Sequence, residues 1–323
     1  MSEPNQSSVS EFLLLGLSRH PQQQKKFLFI LFLSMYLTTV LGNLLIILAI
    51  SKDFRLHTPM YFFLCSLSFV DLCFSSTIVP NMLTNTLSSE TMSFPECLMQ
   101  IYFFNVFGDM ENFLLAVMAY DRFVAVCHPL HYTTKMTHQF CALLVTGSWV
   151  IAILNALLHT LLMARLSFHA DNTIPHFFCE MTALLRLSYS DTHLNEMMIL
   201  TEGGLIMMIP LVCILVSYIS ITSAVLRVPS TKGKWKAFST CGSHLAAVSL
   251  FYGTIIAVYF KPSSSNSAKN DIVAAVMYTV MTPMLNPFIY SLRNKDIKGA
   301  LTKMIAMNCF SVQQKSFSLV SKM

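Results

Sequence analysis

Charge is what this chain has least of. Asp, Glu, Lys and Arg make up 11% of its 323 residues, against about a quarter in soluble domains. So few charges cannot cover a soluble sphere of this size, and the abundance of apolar residues excludes a disordered chain. The ten glycines and twelve prolines are scattered, which excludes a collagen-like or low-complexity segment. No HExxH helix, GxSxG elbow or phosphate loop is present, which argues against zinc-hydrolase, serine-hydrolase and nucleotide chemistry. The nine cysteines form no paired CxxC motifs, and most sit in apolar runs, where a thiol is a small packing group. What remains is a chain 54% apolar, which reads as a polytopic membrane protein with no room for a soluble catalytic domain.

Seven apolar stretches follow one another: 27–50, 58–84, 98–126, 139–162, 197–222, 237–260 and 271–292. Each is long enough to cross ~30 Å of hydrocarbon as a helix. None shows the ten-residue alternation of an outer-membrane barrel. The expected fold is therefore all-α: a seven-transmembrane helix bundle spanning 27–292, after an N-terminal segment 1–26 and before a tail 293–323. Fourteen of the 21 Lys and Arg fall in the loops after spans one, three and five and in that tail. The richer side faces the cytoplasm, so the N-terminus is expected outside. The one sequon, at Asn5, lies on that outer side as a glycosylation candidate. Cys97 and Cys179 fall there too, in an oxidising compartment. The apolar run Phe12 to Leu17 is too short for a signal-peptide core, so span one is expected to act as the insertion signal.

Ionisable groups deep in a membrane are costly and are functional candidates by default. Asp71 and Glu111 lie mid-span in the second and third stretches, with Asn43 and Asn286 at similar depth. They are expected to form a buried polar network, acting either as a switch or ion site or as plain packing contacts. Asp121-Arg122 closes the third span, where Arg122 is either held by its neighbour or snorkels to the headgroups. Pro283 and Pro287 kink the last span, around Asn286 and Tyr290. Beyond it, Ile297, Ala300, Leu301 and Met304 make one apolar face of a short helix expected along the inner membrane surface. Cys309 is a palmitoylation candidate.

Four motifs in register carry a resemblance. They are Leu56-His57-Thr58-Pro59-Met60-Tyr61, Met118-Ala119-Tyr120-Asp121-Arg122-Phe123-Val124-Ala125-Val126-Cys127, Lys236-Ala237-Phe238-Ser239-Thr240-Cys241-Gly242-Ser243-His244-Leu245 and Pro283-Met284-Leu285-Asn286-Pro287-Phe288-Ile289-Tyr290. Together they resemble the rhodopsin-like G-protein-coupled receptors, and among these the odorant (olfactory) receptors, over nearly the whole chain. The resemblance implies a plasma-membrane receptor, not an enzyme, with no cofactor. Such a receptor would bind small volatile odorants and activate a stimulatory olfactory-type G protein, raising cAMP. It also implies a Cys97–Cys179 disulfide, and an Arg122 held by Asp121 at rest that later meets the G protein. Tyr218 and Tyr290 would move with it, beside the Asn286-Pro287 hinge. Asp71 and Glu111 match the family's mid-membrane acidic pair, near a sodium site in related receptors.

The implied ligand cavity is lined by Phe104, Asn105, Gly108, Asp109, Asn112, Gly203, Ile206, Tyr252, Ile255, Ile256, Tyr259 and Thr279. Most are apolar, as suits small volatile ligands. The chain departs from the family pattern at His169 and Tyr189, where a second cysteine pair is common, and at Phe123, usually Tyr. Asp109 and Glu202 are also unusual. They suggest a preference for amines, unless Asp109, one helical step from Gly108, turns to span four or five. A transporter is disfavoured by the absence of repeated halves. An intramembrane aspartyl protease is disfavoured because Asp109 and Asp121 lie on one helix, about 18 Å apart.

Overall fold

The computed structural model describes residues 11–15, 21–87, 91–168, 173–259, 272–273, 275–291, 294–304 and 306. Asn5 and Cys309 lie outside the described residues, as does the side chain of Tyr259. Among the described residues, seven principal helices make a bundle. They are α1 (Gln22–Lys52), α2 (Pro59–Leu87), α3 (Phe94–Cys127), α4 (His138–Ala164), α5 (His193–Leu226), α6 (Thr231–Tyr259) and α7 (Thr282–Ser291, extended upstream by a wide turn over Met277–Met281). A short helix α8 follows over residues 295–304. The first five are long and apolar enough to cross a bilayer, and α6 holds a shorter apolar stretch, Cys241–Ile256.

α3 is the axis of the bundle, packing against α2, α4, α5 and α6, while α7 closes the ring between α6 and α1. Its start is set by a reciprocal cap in which the Ser93 hydroxyl accepts from the Glu96 N–H and the Glu96 carboxylate accepts from the Ser93 N–H. The outward faces are apolar. On α1 alone Phe27, Ile30, Leu37, Leu41, Leu44, Leu45 and Leu48 are exposed, a surface that only lipid can cover.

Several helix ends run past the apolar stretches read from the sequence. α6 begins at Thr231, carrying Lys232 and Lys234, because backbone hydrogen bonding continues beyond the apolar run. The wholly helical expectation also missed a three-stranded sheet at the disulfide end. Its central strand is β1 (Glu11–Leu14), antiparallel to β2 (Thr91–Ser93) and parallel to β3 (Thr173–Ile174). Phe12 is fully buried there, edge-on to Phe168 with centroids 5.2 Å apart.

Proline leaves its mark at two crossings. Pro210 in α5 and Pro287 in α7 have no N–H, so the carbonyls four residues earlier, of Ile206 and Pro283, lose their intrahelical donor. Neighbouring asparagines supply one instead. Asn112 Nδ2 on α3 donates to the Ile206 carbonyl at 2.9 Å, and Asn43 Nδ2 on α1 donates to the Pro283 carbonyl at 3.3 Å. α5 is thus tied to α3 and α7 to α1. At the second crossing Gly42 lies against the Pro287 ring, and a Cβ there would stand 3.0 Å from it.

Candidate functional site

At mid-depth, Asn286 joins the two buried acids. Its Nδ2 donates to Asp71 Oδ2 at 3.0 Å and more weakly to Glu111 Oε1 at 3.5 Å. Asn43, Asp71, Glu111 and Asn286 are all buried, so helices α1, α2, α3 and α7 meet through polar groups. Oxygens are in surplus here: Asn43 Oδ1, Asp71 Oδ1, Ser75 Oγ and Asn286 Oδ1 are buried without a hydrogen-bond partner. A set of oxygen acceptors around two carboxylates has the donor chemistry of a hard cation such as sodium.

Toward the end opposite the disulfide, Arg122 borders a cavity of about 260 Å³ with Tyr61, Met118, Ser243, Tyr290 and Asp296 among its walls. The expected hold of Asp121 on Arg122 is not what is found. Asp121 Oδ1 accepts instead from the Tyr132 hydroxyl at 2.7 Å, and no ion pair to Arg122 occurs among the described residues. Consecutive positions on a helix diverge by ~100°, so Asp121 turns toward a short helix in the following loop, Tyr132–Lys135, while Arg122 faces the cavity. Burial, and then the Asp121 carboxylate, push the Tyr132 phenol up.

Tyr218 reaches His244, which sequence reasoning saw only as part of a motif. The Tyr218 hydroxyl lies 2.7 Å from His244 Nδ1, and His244 Nε2 lies 3.0 Å from the Leu115 carbonyl. A carbonyl only accepts, so Nε2 carries the proton and Nδ1 accepts from Tyr218. This fully buried imidazole joins α3, α5 and α6. Tyr290 is buried at the cavity wall. Below it, Tyr61 donates to Asp296 at 3.1 Å and accepts from Asn294 at 3.0 Å, tying α8 to α2. Ile297 and Ala300 are buried, and Lys295, Lys298 and Lys303 face outward.

At the other end Cys97 and Cys179 form a disulfide, with Cα atoms 5.4 Å apart. Gln100 Oε1 accepts from the Cys179 N–H at 2.9 Å, which fixes the loop over the bundle. That loop delivers Phe178 onto Phe104, with stacked rings 5.4 Å apart, and Phe74 closes on the opposite side. Of the expected lining, Asn112, Ile206 and Tyr252 come together, since Tyr252 donates to Asn112 Oδ1. Asn105 keeps a buried Nδ2 without a partner. Gly108 and Gly203 each have open space where a Cβ would be. Ile255 packs on the core and Thr279 is fully buried, but Ile256 is 51% exposed, on the outside of α6. Asp109 turns to α4, where Asn155 Nδ2 donates to it at 2.7 Å. A further cavity of about 430 Å³, bordered by Ser76, Asn81, Glu96 and Phe103, lies between the outer parts of α2 and α3, apart from this set.

A bundle of largely apolar helices around a buried polar core, capped by a disulfide-bonded loop and open beside an arginine at the far end, defines a G-protein-coupled receptor rather than an enzyme. Within that class the chain belongs to the olfactory receptor family, whose profile, described as "Olfactory receptor", matches residues 32–308. The chain is 72% identical over 314 residues to olfactory receptor 1f45 of Rattus norvegicus, covering 97% of this chain and 100% of that one. It is 71% identical over 313 residues to olfactory receptor 1F1 of Homo sapiens, with the same coverage. Olfactory receptor 1E1 of Homo sapiens is 59% identical over 306 residues, covering 94% of this chain and 97% of that one. The protein is accordingly a multi-pass plasma-membrane protein.

Proposed function

We propose that this receptor binds small, largely apolar odorants between α3, α5, α6 and α7 and passes the signal to a stimulatory G protein, raising cAMP. The disulfide end faces outside and the Arg122 end the cytoplasm, in keeping with the excess of Lys and Arg on the latter side. The observation that carries the reading is the cavity around Arg122 at the far end of the bundle from the loop that covers Phe104. One end suits a small molecule and the other a protein segment. Asn112, Tyr252 and Ile206 tie the helices around the ligand to one another, and His244 continues the tie toward Tyr218. A ligand that shifts α6 against α3 strains both links, which is how a small molecule biases a two-state bundle. Asp71 and Glu111 would hold a sodium ion in the inactive packing, where the orphaned oxygens above fit one.

The test is expression with a stimulatory G protein and a cAMP readout across a diverse odorant panel. At least one odorant is expected to raise cAMP in the native receptor, and the Arg122→Ala variant, present at the cell surface, is expected to give little or none. An unreduced response in that variant refutes the coupling role. Accessibility of terminal tags tests the orientation, which fails if both ends share one compartment.

A further inference from the structure

A second polar cluster lies away from the Asp71 network, between α3, α4 and α5. Asp109 on α3 accepts from Asn155 Nδ2 at 2.7 Å. Glu202 Oε2 on α5 lies 3.2 Å from His159 Nε2. Asn155 and His159 are four residues apart on α4, so they share one face about 6 Å apart along the axis. Turning to α4 takes Asp109 away from the Asn112–Tyr252 lining, which then gives no ground for an amine preference. It also sets Asp109 on the same stripe of α4 as Glu202, one turn apart, and an amine preference rests on that pairing alone. Glu202 sits in the wide helical turn Ile199–Gly203, a distortion found often at functional sites.

The cluster lacks a positive charge. Two carboxylates face at most one imidazolium. Asn155, only 7% exposed, has a buried Oδ1 with no hydrogen-bond partner. Acceptors thus outnumber donors at a depth where an uncompensated carboxylate is expensive. A bare metal ion would supply charge but no hydrogen-bond donors. An ammonium group fits better: it brings one positive charge and up to three N–H donors, which Asp109, Asn155 Oδ1 and Glu202 can accept. There is also room beside it. Gly108 precedes Asp109 and Gly203 follows Glu202, and a Cβ built on either meets no atom within 4 Å. No neighbouring side chain covers either backbone at that point, which leaves space for an alkyl or aryl body.

We propose that Asp109, Asn155, His159 and Glu202 form an ammonium-binding subsite, so that the ligands of this receptor include protonated primary amines. The proposal rests on the odorant-receptor reading above and names a ligand class for it. A charge-assisted contact of this kind is among the stronger hydrogen bonds available in a membrane.

The experiment uses the full chain in cells with the cAMP readout and surface staining. Hexylamine and 2-phenylethylamine are compared with hexanol and 2-phenylethanol on the native receptor and on Asp109→Asn and Glu202→Gln, which keep shape and remove charge. At least one amine is expected to activate the native receptor. Each variant is expected to raise the half-maximal amine concentration at least about tenfold while shifting that of an active neutral odorant less than about threefold. The native receptor alone suffices to overturn the proposal: responses to neutral odorants with none to either amine do so. Equal shifts for amine and alcohol in surface-expressed variants also overturn it. A native receptor that reaches the surface and answers neither the four probes nor the broader panel overturns the functional reading itself, and the subsite falls with it.

Discussion

If Asn112 serves as a substitute donor for the N–H that Pro210 lacks, restoring that N–H should make Asn112 partly redundant. Asn112→Ala removes two buried bonds, the one it gives to the Ile206 carbonyl and the one it takes from Tyr252. A buried polar group left unpaired costs about 1–3 kcal/mol, and interhelical bonds inside membranes range from about 0.6 kcal/mol on average in a folded bundle to about 1–2 kcal/mol in peptides. The single change should therefore cost roughly 2–4 kcal/mol. Pro210→Ala returns an N–H that can reach the Ile206 carbonyl within α5. In that background Asn112→Ala strands only the Tyr252 hydroxyl, so its cost should fall by about 1–2 kcal/mol. The measurement is thermal unfolding of detergent-purified receptor at one fixed scan rate, for the native chain, both single variants and the double. On the order of 2 °C per kcal/mol is expected for a chain of this size, so the coupling should appear as ~2–4 °C of non-additivity. Equal destabilisation by Asn112→Ala in both backgrounds would refute the reasoning, and the α3–α5 bond would then be incidental.

Three further outcomes follow from the same geometry. Gly42→Ala sets a methyl 3.0 Å from the rigid Pro287 ring and should cost about 1–3 kcal/mol by overpacking, read as a lower melting temperature, whereas Gly147→Ala, where a Cβ meets nothing within 4 Å, should not lower it. Tyr132→Phe releases Asp121, leaving it free to draw Arg122 out of the cavity; basal cAMP should drop several-fold at equal surface expression, and an unchanged basal level counts against the switch. Replacing Cys97 by Ser should remove most of the receptor from the cell surface, since loss of such a bridge costs about 2–5 kcal/mol, and surface staining against total protein reads this directly.

How much of this was legible in the chain depends on how local the cause is. The helices were readable because each apolar run carries its own reason to cross a membrane. Asp71, Glu111 and Asn286 were readable because charge and amide at mid-span demand partners, although which oxygen meets which nitrogen was not. His244 was hidden: a lone histidine on an apolar helix gives no sign that it bonds to two other helices. Asn43 and Asn112 were named, but not their carbonyl partners; asking which carbonyls Pro287 and Pro210 leave without a donor points to Pro283 and Ile206, yet only the fold brings the asparagines alongside them. Asp109 shows the limit of helical phase, since its neighbourhood to Gly108 left two directions open and Asn155 decided between them. The strand Glu11–Leu14 was missed because four residues of Glu-Phe-Leu-Leu have no meaning until Thr91–Ser93 and Thr173–Ile174 stand on either side.

That strand has a bearing on synthesis. β1 is made first yet occupies the middle of the sheet, and its parallel neighbour β3 emerges some 160 residues later. The segment that carries β1 must therefore wait, unpaired on one side, until four helices have been threaded into the bilayer. Only then does its slot exist. Any device that delays or burdens that segment, such as a bulky fusion placed tightly against Glu11, would act on the last step of building the sheet over the disulfide end rather than on the first.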